Sequence, residues 1–303
     1  MSDGKRAASG SQMDIRGRID EQIVERAPWL RRPGPSVALA RTVLNRLLSY
    51  DRTVDLAREM EDWTGPAIME RMGRMLANEV EVSGLDRIPR HGAAMIVANH
   101  PTGIADGIVL YHLLAPIRPD LFFYANTDLL RVVPQLDCMI APVEWRHEKR
   151  THAKTRETMA YTRTAMQAGR LGIIFPSGRL AKRRGLKLYE RPWMPSAAMI
   201  ARKFDAPVIP INIRARNSAL FYLFDLIHPS LRDITLFYET LNKARQPYRI
   251  SVGEPVSPRA LPASPEDAIE LLRDATLDLG GRHAPSVSLV DSSRPWLRLT
   301  TRT

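Results

Sequence analysis

Short apolar runs alternate with stretches of helical spacing through most of this chain, and the alternation begins near residue 80. Val80 and Val82 flank a glutamate, a period of two that predicts a half-buried strand. Residues 93–98 are apolar throughout and predict a strand covered on both faces. Ile108, Val109, Leu110, Leu113 and Leu114 then recur at helical spacing, predicting a buried helix that begins near Ala105. The same rhythm predicts strands over 122–126, 139–143, 171–175, 208–213 and 248–252, and helices over 151–169 and 195–204. Ser264, Pro265, Glu266 and Asp267 form a helix start, with a side-chain cap, a proline at the first position and an acidic first turn. Strands and helices in alternation predict an α/β fold with a largely parallel (mixed) central sheet flanked by helices.

The first third reads differently. Residues 1–35 open polar and Gly/Ser-rich and close on a turn-rich stretch over 29–35, so they are expected to be a flexible lead. Residues 36–78 predict an N-terminal helical extension. Ala40, Val43, Leu44, Leu47 and Leu48 share one face of its first helix, beside Arg41 and Arg46. A basic amphipathic helix of this kind either lies in a lipid headgroup layer or packs on its own domain. Ile68, Met69, Met72, Met75 and Leu76 read as core filler. The α/β domain is expected over 79–282, with an irregular tail over 283–303. The apolar stretches 206–213 and 219–227 fall short of the ~18 residues that span a bilayer, so both are expected as core elements. The N-terminus lacks an apolar signal region.

Charge narrows the partner. The formal net charge of +11 points to an anionic one: nucleic acid, an acidic lipid surface or a phosphorylated substrate. Aromatic residues do not interleave with the Lys and Arg residues, and no helix-turn-helix or zinc-finger spacing is present, so no nucleic-acid partner is expected. The single Cys138 excludes an internal disulfide and argues against a thiolate metal cluster, in line with a reduced compartment. The seven His residues show no metal-ligand spacing, so no metal is expected.

Candidate chemistry lies where the strand over 93–98 ends. Asn99, His100, Pro101, Thr102 and Gly103 lead to Asp106 in the first turn of the next helix. Pro101 keeps His100 on extended backbone, and Gly103 allows the chain to turn back. An imidazole takes and returns a proton near neutral pH, and a neighbouring carboxylate fixes its tautomer and stabilises the imidazolium. Taken singly, the histidine also reads as a hydrogen-bonded structural residue and the aspartate as a helix cap. Joined by the Pro-Gly bend, they predict a pair that deprotonates an alcohol. A second candidate follows the strand over 171–175. There Pro176, Ser177, Gly178 and Arg179 precede Lys182, Arg183 and Arg184, a loop suited to an anion, with Arg179 as the specific fork.

In the order of these blocks, from Val80 to Pro258, the chain resembles the glycerolipid acyltransferase superfamily, which includes the 1-acylglycerol-3-phosphate acyltransferases. Residues 82–89 are similar to the strand and loop that open that family's domain, and Asn99-His100 through Asp106 to its catalytic block. Glu144-Trp145-Arg146 is similar to the second block, whose Arg helps hold the acceptor's phosphate. Residues 175–179 are similar to the third block, Phe-Pro-Glu-Gly-Thr-Arg, residues 208–211 to the fourth, and residues 251–256 to a common closing strand. Three departures stand out. Five residues rather than four separate His100 from Asp106, as in a branch resembling haemolysin-like and ornithine-lipid acyltransferases. Ser177 stands where a glutamate is usual, and Arg179 is one place early, with Leu180 at the usual position.

The resemblance implies an O-acyltransferase of the phospholipid and glycerolipid biosynthesis type. It would move a fatty acyl group from acyl-CoA or acyl-ACP, as cosubstrate and with no cofactor, to a lysophospholipid-type hydroxyl such as that of 1-acylglycerol-3-phosphate. His100 and Asp106 are then catalytic, and Asn99, Gly103, Arg146, Ser177, Gly178 and Arg179 bind substrate. The implied partners are the lyso-lipid acceptor, the acyl carrier and an anionic membrane surface. The implied location is cytoplasmic, peripheral on the inner face of the cell membrane. Acylation of a non-phosphate lyso-lipid of the ornithine-lipid type, a lipid hydrolase and an inactive lipid-binding homologue stay open.

Overall fold

The computed structural model describes residues 14–144, 151–243 and 246–293. Its first four helices are α1 (Ile15–Arg26), α2 (Pro35–Leu47), α3 (Tyr50–Glu59) and α4 (Gly65–Leu76). The α/β part then runs β1 (Val80–Ser83), β2 (Ala94–Ala98), α5 (Ile104–Leu114), β3 (Leu121–Asn126), α6 (Asp128–Val132), β4 (Ile140–Val143), α7 (His152–Gln167) and β5 (Leu171–Ile174). A hairpin, β6 (Lys182–Arg184) and β7 (Lys187–Tyr189), interrupts the alternation before α8 (Ser196–Lys203) and β8 (Val208–Arg214). Two consecutive helices, α9 (Ala219–Ile227) and α10 (Pro229–Asn242), precede β9 (Tyr248–Val252), α11 (Pro265–Asp278) and β10 (Ser286–Ser288).

Among the described residues seven strands form the main sheet, in the order β1-β9-β8-β2-β5-β3-β4. Each neighbouring pair is parallel except β8 with β9, so the sheet is mixed and mostly parallel, as the alternation predicts. The centre is β2, flanked by β8 and β5, and each of its five residues is buried. Hence the sequence there is continuously apolar rather than alternating. One face of the sheet packs against α4 and α5, through Ile68, Met72, Leu76, Leu110 and Leu114. The other packs against α7, α8 and α11, through Met166, Ala197, Ala201 and Leu272. Burying each such large side chain contributes roughly 1.5–3 kcal/mol against conformational entropy.

The outer helices depart from the pattern's expectations. Within the stretch expected as a flexible lead, Ile15–Arg26 is a helix capped by Asp14, and it buries Ile15 and Ile19 against Tyr50 and Val54 of α3. Arg131 pairs with Glu21 and Glu25 at 3.0 Å and ties that helix to α6. Its apolar spacing is diluted by charged residues that find partners only in three dimensions. In α2 the expected common face is split. Leu44 and Leu48 join a cluster with Phe224 and Ile234, whereas Val43 and Leu47 are exposed. Likewise 219–227 is not a core element throughout: Phe221 and Phe224 are buried, but Leu223, Leu226 and Ile227 are exposed. In the expected irregular tail, Ser286–Ser288 pairs antiparallel with β7.

Candidate active site

His100 stands just past the carboxyl end of β2, where an α/β sheet presents its loops. Gly103, at φ 95°, is the N-cap of α5, and Asp106 is the third residue of that helix. The extra residue in this turn is absorbed by the bend, which carries Asp106 back beneath the imidazole. Its Oδ2 lies 3.0 Å from His100 Nδ1, with the carboxylate fully buried and the histidine 18% exposed. The contact is close but not linear, since Nδ1 has no aligned acceptor. Such bonds commonly tighten only on substrate binding.

The carboxylate itself is held on every side. Its Oδ2 accepts from the backbone N–H of Thr102 at 2.9 Å and of Gly103 at 3.0 Å, and its Oδ1 accepts from the Thr102 hydroxyl. Thr102 thereby commits its proton to Asp106, so the Tyr248 hydroxyl, 2.8 Å away, donates to Thr102. Burial, and after it the charge of Asp106, holds the Tyr248 phenol well above its usual range, so it stays a donor. The position at the start of α5 adds a favourable helix dipole. The imidazole stacks on Phe175 with ring centroids 4.2 Å apart. The His100 backbone carbonyl accepts from Ala181, at 2.9 Å, and its N–H donates to Glu190 Oε2 at 3.1 Å. One face of the ring is thus covered, its Nδ1 edge faces a carboxylate, and Nε2 is left to meet a substrate.

The other expected site residues divide. Asn99 does not turn toward a substrate: its amide donates to the Ile213 carbonyl at 2.9 Å and accepts from the Ile213 N–H at 2.7 Å. Only 2% exposed, it clasps β2 to β8. Gly103 acts through its backbone on Asp106, and a side chain there would press on Leu180 at 3.2 Å. Ser177 is buried, and its hydroxyl donates to the Arg179 carbonyl at 2.9 Å. The N–H of Gly178 closes a turn onto the Phe175 carbonyl at 2.9 Å, so it is engaged in the fold rather than open to an anion. Arg179 is exposed on the same loop, which Ala181 ties to His100. Glu144 pairs with Lys154 at 3.0 Å, and Arg146 lies outside the described residues.

Four residues beside the pair escape sequence reasoning. Thr102 holds Asp106 and Tyr248 holds Thr102, while Glu190 and Trp193 lie behind His100, with Trp193 Nε1 donating to Glu190 Oε1 at 3.1 Å. The only trace of the latter two in the sequence is a carboxylate and a tryptophan three places apart after a basic hairpin, which has no meaning until the hairpin folds back.

Residues 79–214 match the family model described as Acyltransferase. The chain is 23% identical to a lyso-glycine lipid O-acyltransferase of Phocaeicola vulgatus over 219 residues, covering 70% of this chain and 77% of that one. A lyso-glycine lipid O-acyltransferase of Bacteroides thetaiotaomicron is 22% identical over 244 residues, covering 78% of this chain and 87% of that one. Among solved structures, the 1-acyl-sn-glycerophosphate (LPA) acyltransferase PlsC from Thermotoga maritima aligns with a TM-score of 0.48 and 14% identity, covering 80% of this chain and 95% of that one.

Proposed function

From the match of residues 79–214 to the acyltransferase family model, we propose that the chain transfers a fatty acyl group from a thioester to the hydroxyl of a single-chain lyso-lipid. The observation that carries this reading is the 3.0 Å contact of His100 Nδ1 with a carboxylate already saturated by backbone donors. A carboxylate held in this way cannot swing off to become the base itself. It orients the ring, so Nε2 is the basic atom. His100 Nε2 takes the acceptor's hydroxyl proton as that oxygen attacks the thioester carbonyl carbon. The tetrahedral intermediate collapses with breakage of the C–S bond, and the imidazolium returns its proton to the leaving thiolate. The products are an ester and a free thiol, and histidine ends as it began. Acyl-CoA and acyl-ACP both supply such a thioester, and no cofactor enters the step.

Two observations favour an acceptor with an amino-acid headgroup over 1-acylglycerol-3-phosphate. Ser177, Arg179 and the longer His-to-Asp turn depart from the phosphate-binding pattern, and two relatives are named for a lyso-glycine lipid. A headgroup carboxylate matches the Arg179 fork as well as a phosphate does. The test is an acyl-transfer assay with both thioester donors against lyso-lipids bearing amino-acid, phosphate and neutral headgroups. An O-acylated amino-acid lipid is expected as the main product. Release of free fatty acid without dependence on any acceptor overturns transfer in favour of hydrolysis. In the same assay Arg179→Ala is expected to raise the acceptor KM by about tenfold, with kcat changed less, the mark of a contact made equally in ground and transition states. An unchanged acceptor KM rules out headgroup binding at Arg179.

The acceptor is a lipid, so the enzyme meets it at an interface. Among the described residues no helix is long and apolar enough to cross a membrane. Leu39, Val43 and Leu47 of α2 and Leu223, Leu226 and Ile227 of α9 are all exposed, on two helices that share one hydrophobic cluster. With Arg31, Arg32 and Arg46 exposed nearby in sequence, this face suits an anionic bilayer, at ~1 kcal/mol per cation near the surface. Flotation with vesicles containing phosphatidylglycerol is expected to carry the protein, with binding weakened by salt and by Leu226→Asp together with Ile227→Asp. Flotation indifferent to all three removes this surface from the reading.

A further inference from the structure

We infer that Glu190 is a positioning residue for His100, and that with Trp193 it forms a carboxylate clamp which sets the backbone of the catalytic histidine. The inference rests on the reading of His100 as the base. Glu190 is 9% exposed, and its two oxygens are divided between two donors, Oε2 taking the His100 N–H and Oε1 the Trp193 indole N–H, each at 3.1 Å. Burial pushes its carboxyl above the usual range, while the bonds from the His100 backbone and Trp193, with the Ser177 hydroxyl nearby, oppose that rise. A buried carboxyl is costly to keep, and here its acceptor capacity is spent on the residue that moves the proton.

The geometry gives that bond a specific consequence. Pro101 after His100 has no N–H, so on the strand side of the bend the peptide groups of His100 supply the anchoring, while Thr102 and Gly103 anchor the helix side on Asp106. Its carbonyl is held by Ala181 and its N–H by Glu190, at the two ends of one excursion of the chain. Arg191 Nε donating to the Leu180 carbonyl at 3.0 Å, and Met194 N–H donating to the Pro176 carbonyl at 3.0 Å, close that excursion on itself. Phe175, at its start, covers the ring. The backbone and one ring face of His100 are thus placed by a single loop, and Asp106 holds the other edge. Position 177, a glutamate in the resembling family, is here a serine beside Glu190.

The test uses the full chain and the first donor–acceptor pair that the wild type turns over. A glutamine at 190 offers one acceptor oxygen to two N–H donors and turns its amide nitrogen on the other. Glu190→Gln is expected to lower kcat by about 10–100-fold, the cost of a base displaced by a fraction of an ångström. Donor and acceptor KM values are expected to stay within about threefold. Adding Trp193→Phe removes the competing donor and frees the amide oxygen for His100, so the double variant is expected to recover at least about fivefold in kcat over Glu190→Gln. A role in packing alone predicts the reverse, since the double variant loses a further buried bond. Where Glu190→Gln does not fold, Glu190→Asp, which withdraws the carboxylate by one methylene, is expected to lower kcat by more than about tenfold. Kinetics within about threefold of wild type, a loss confined to KM, or no recovery in the double variant each overturn the inference. His100→Ala in parallel separates the two claims: an active His100→Ala removes the base, whereas an inactive one beside an unimpaired Glu190→Gln removes only the clamp.

Discussion

A folded His100→Ala variant is expected to lose acyl transfer by at least about 10²–10⁴-fold, the usual worth of a positioned general base. The variant should fold. The backbone bonds of His100 to Glu190 and Ala181 do not depend on its side chain, and Asp106 keeps its three donors from Thr102 and Gly103. What the truncation removes from the fold is chiefly the ring stack on Phe175. Asp106 does not take over as base, because these donors hold it with no proton-accepting edge turned to the substrate. The loss should therefore appear in kcat and in kcat/KM alike, with donor KM little changed. Circular dichroism and a thermal melt establish the fold, and product formation by mass spectrometry gives the rate. Turnover near the wild-type value in a folded His100→Ala removes the proposed mechanism.

The largest expected effect on stability lies away from the reacting atoms. Lys243 is fully buried and donates from Nζ to Glu239 Oε2 at 2.9 Å, to Asn217 Oδ1 at 2.6 Å and to the Arg216 carbonyl at 2.8 Å. Glu239, also buried, accepts in turn from the Ser218 N–H and hydroxyl, and Ser218 caps α9. This cluster bolts α9 and α10 to the end of β8. Burial pulls the Lys243 ammonium below its usual range, and the Glu239 charge pulls it back. Removing one ion of a buried pair strands the other without compensation. Lys243→Ala is accordingly expected to cost about 3–5 kcal/mol in urea unfolding. That is a large share of a typical stability of about 5–15 kcal/mol. Replacing both ions, as Lys243→Met with Glu239→Leu, should be less harmful than Lys243→Ala alone, because no charge is then stranded. A Lys243→Ala midpoint equal to wild type would show that the cluster contributes nothing net.

How much is legible follows from which forces are local. β9 is predicted to the residue as 248–252, because its alternation of apolar and polar positions marks a half-buried strand. β2, β5 and β8 are predicted to within a residue, because strands buried on both faces must be largely apolar. The Ser264-Pro265 helix start is equally plain, since the N-cap bond from Asp267 N–H to Ser264 is made within one turn. Helix α10 is not legible in the pattern: its buried face includes Thr235 and Glu239, with Lys243 at its end, polar residues that satisfy one another only after folding. The β6–β7 hairpin is hidden for a related reason, its strands being three residues each and rich in Lys and Arg.

The site divides along the same line. That His100 and Asp106 face each other follows from residues 99–106 alone: a proline fixes one side of the bend, a glycine permits the other, and the helix start returns the carboxylate to its own N-cap. Asn99 shows the limit of that local argument. Next to the histidine it reads as a substrate contact, yet its amide spans to Ile213, more than a hundred residues on. Tyr248 reaches the pair only because the sheet order brings β9 there, and Glu190 and Trp193 only because the hairpin segment folds back onto the loop after β2. Steric and hydrogen-bond constraints within one turn act between neighbours and are written in their identities. The packing that decides which distant carboxylate or hydroxyl is buried against them depends on the whole sheet, and only the assembled structure decided it.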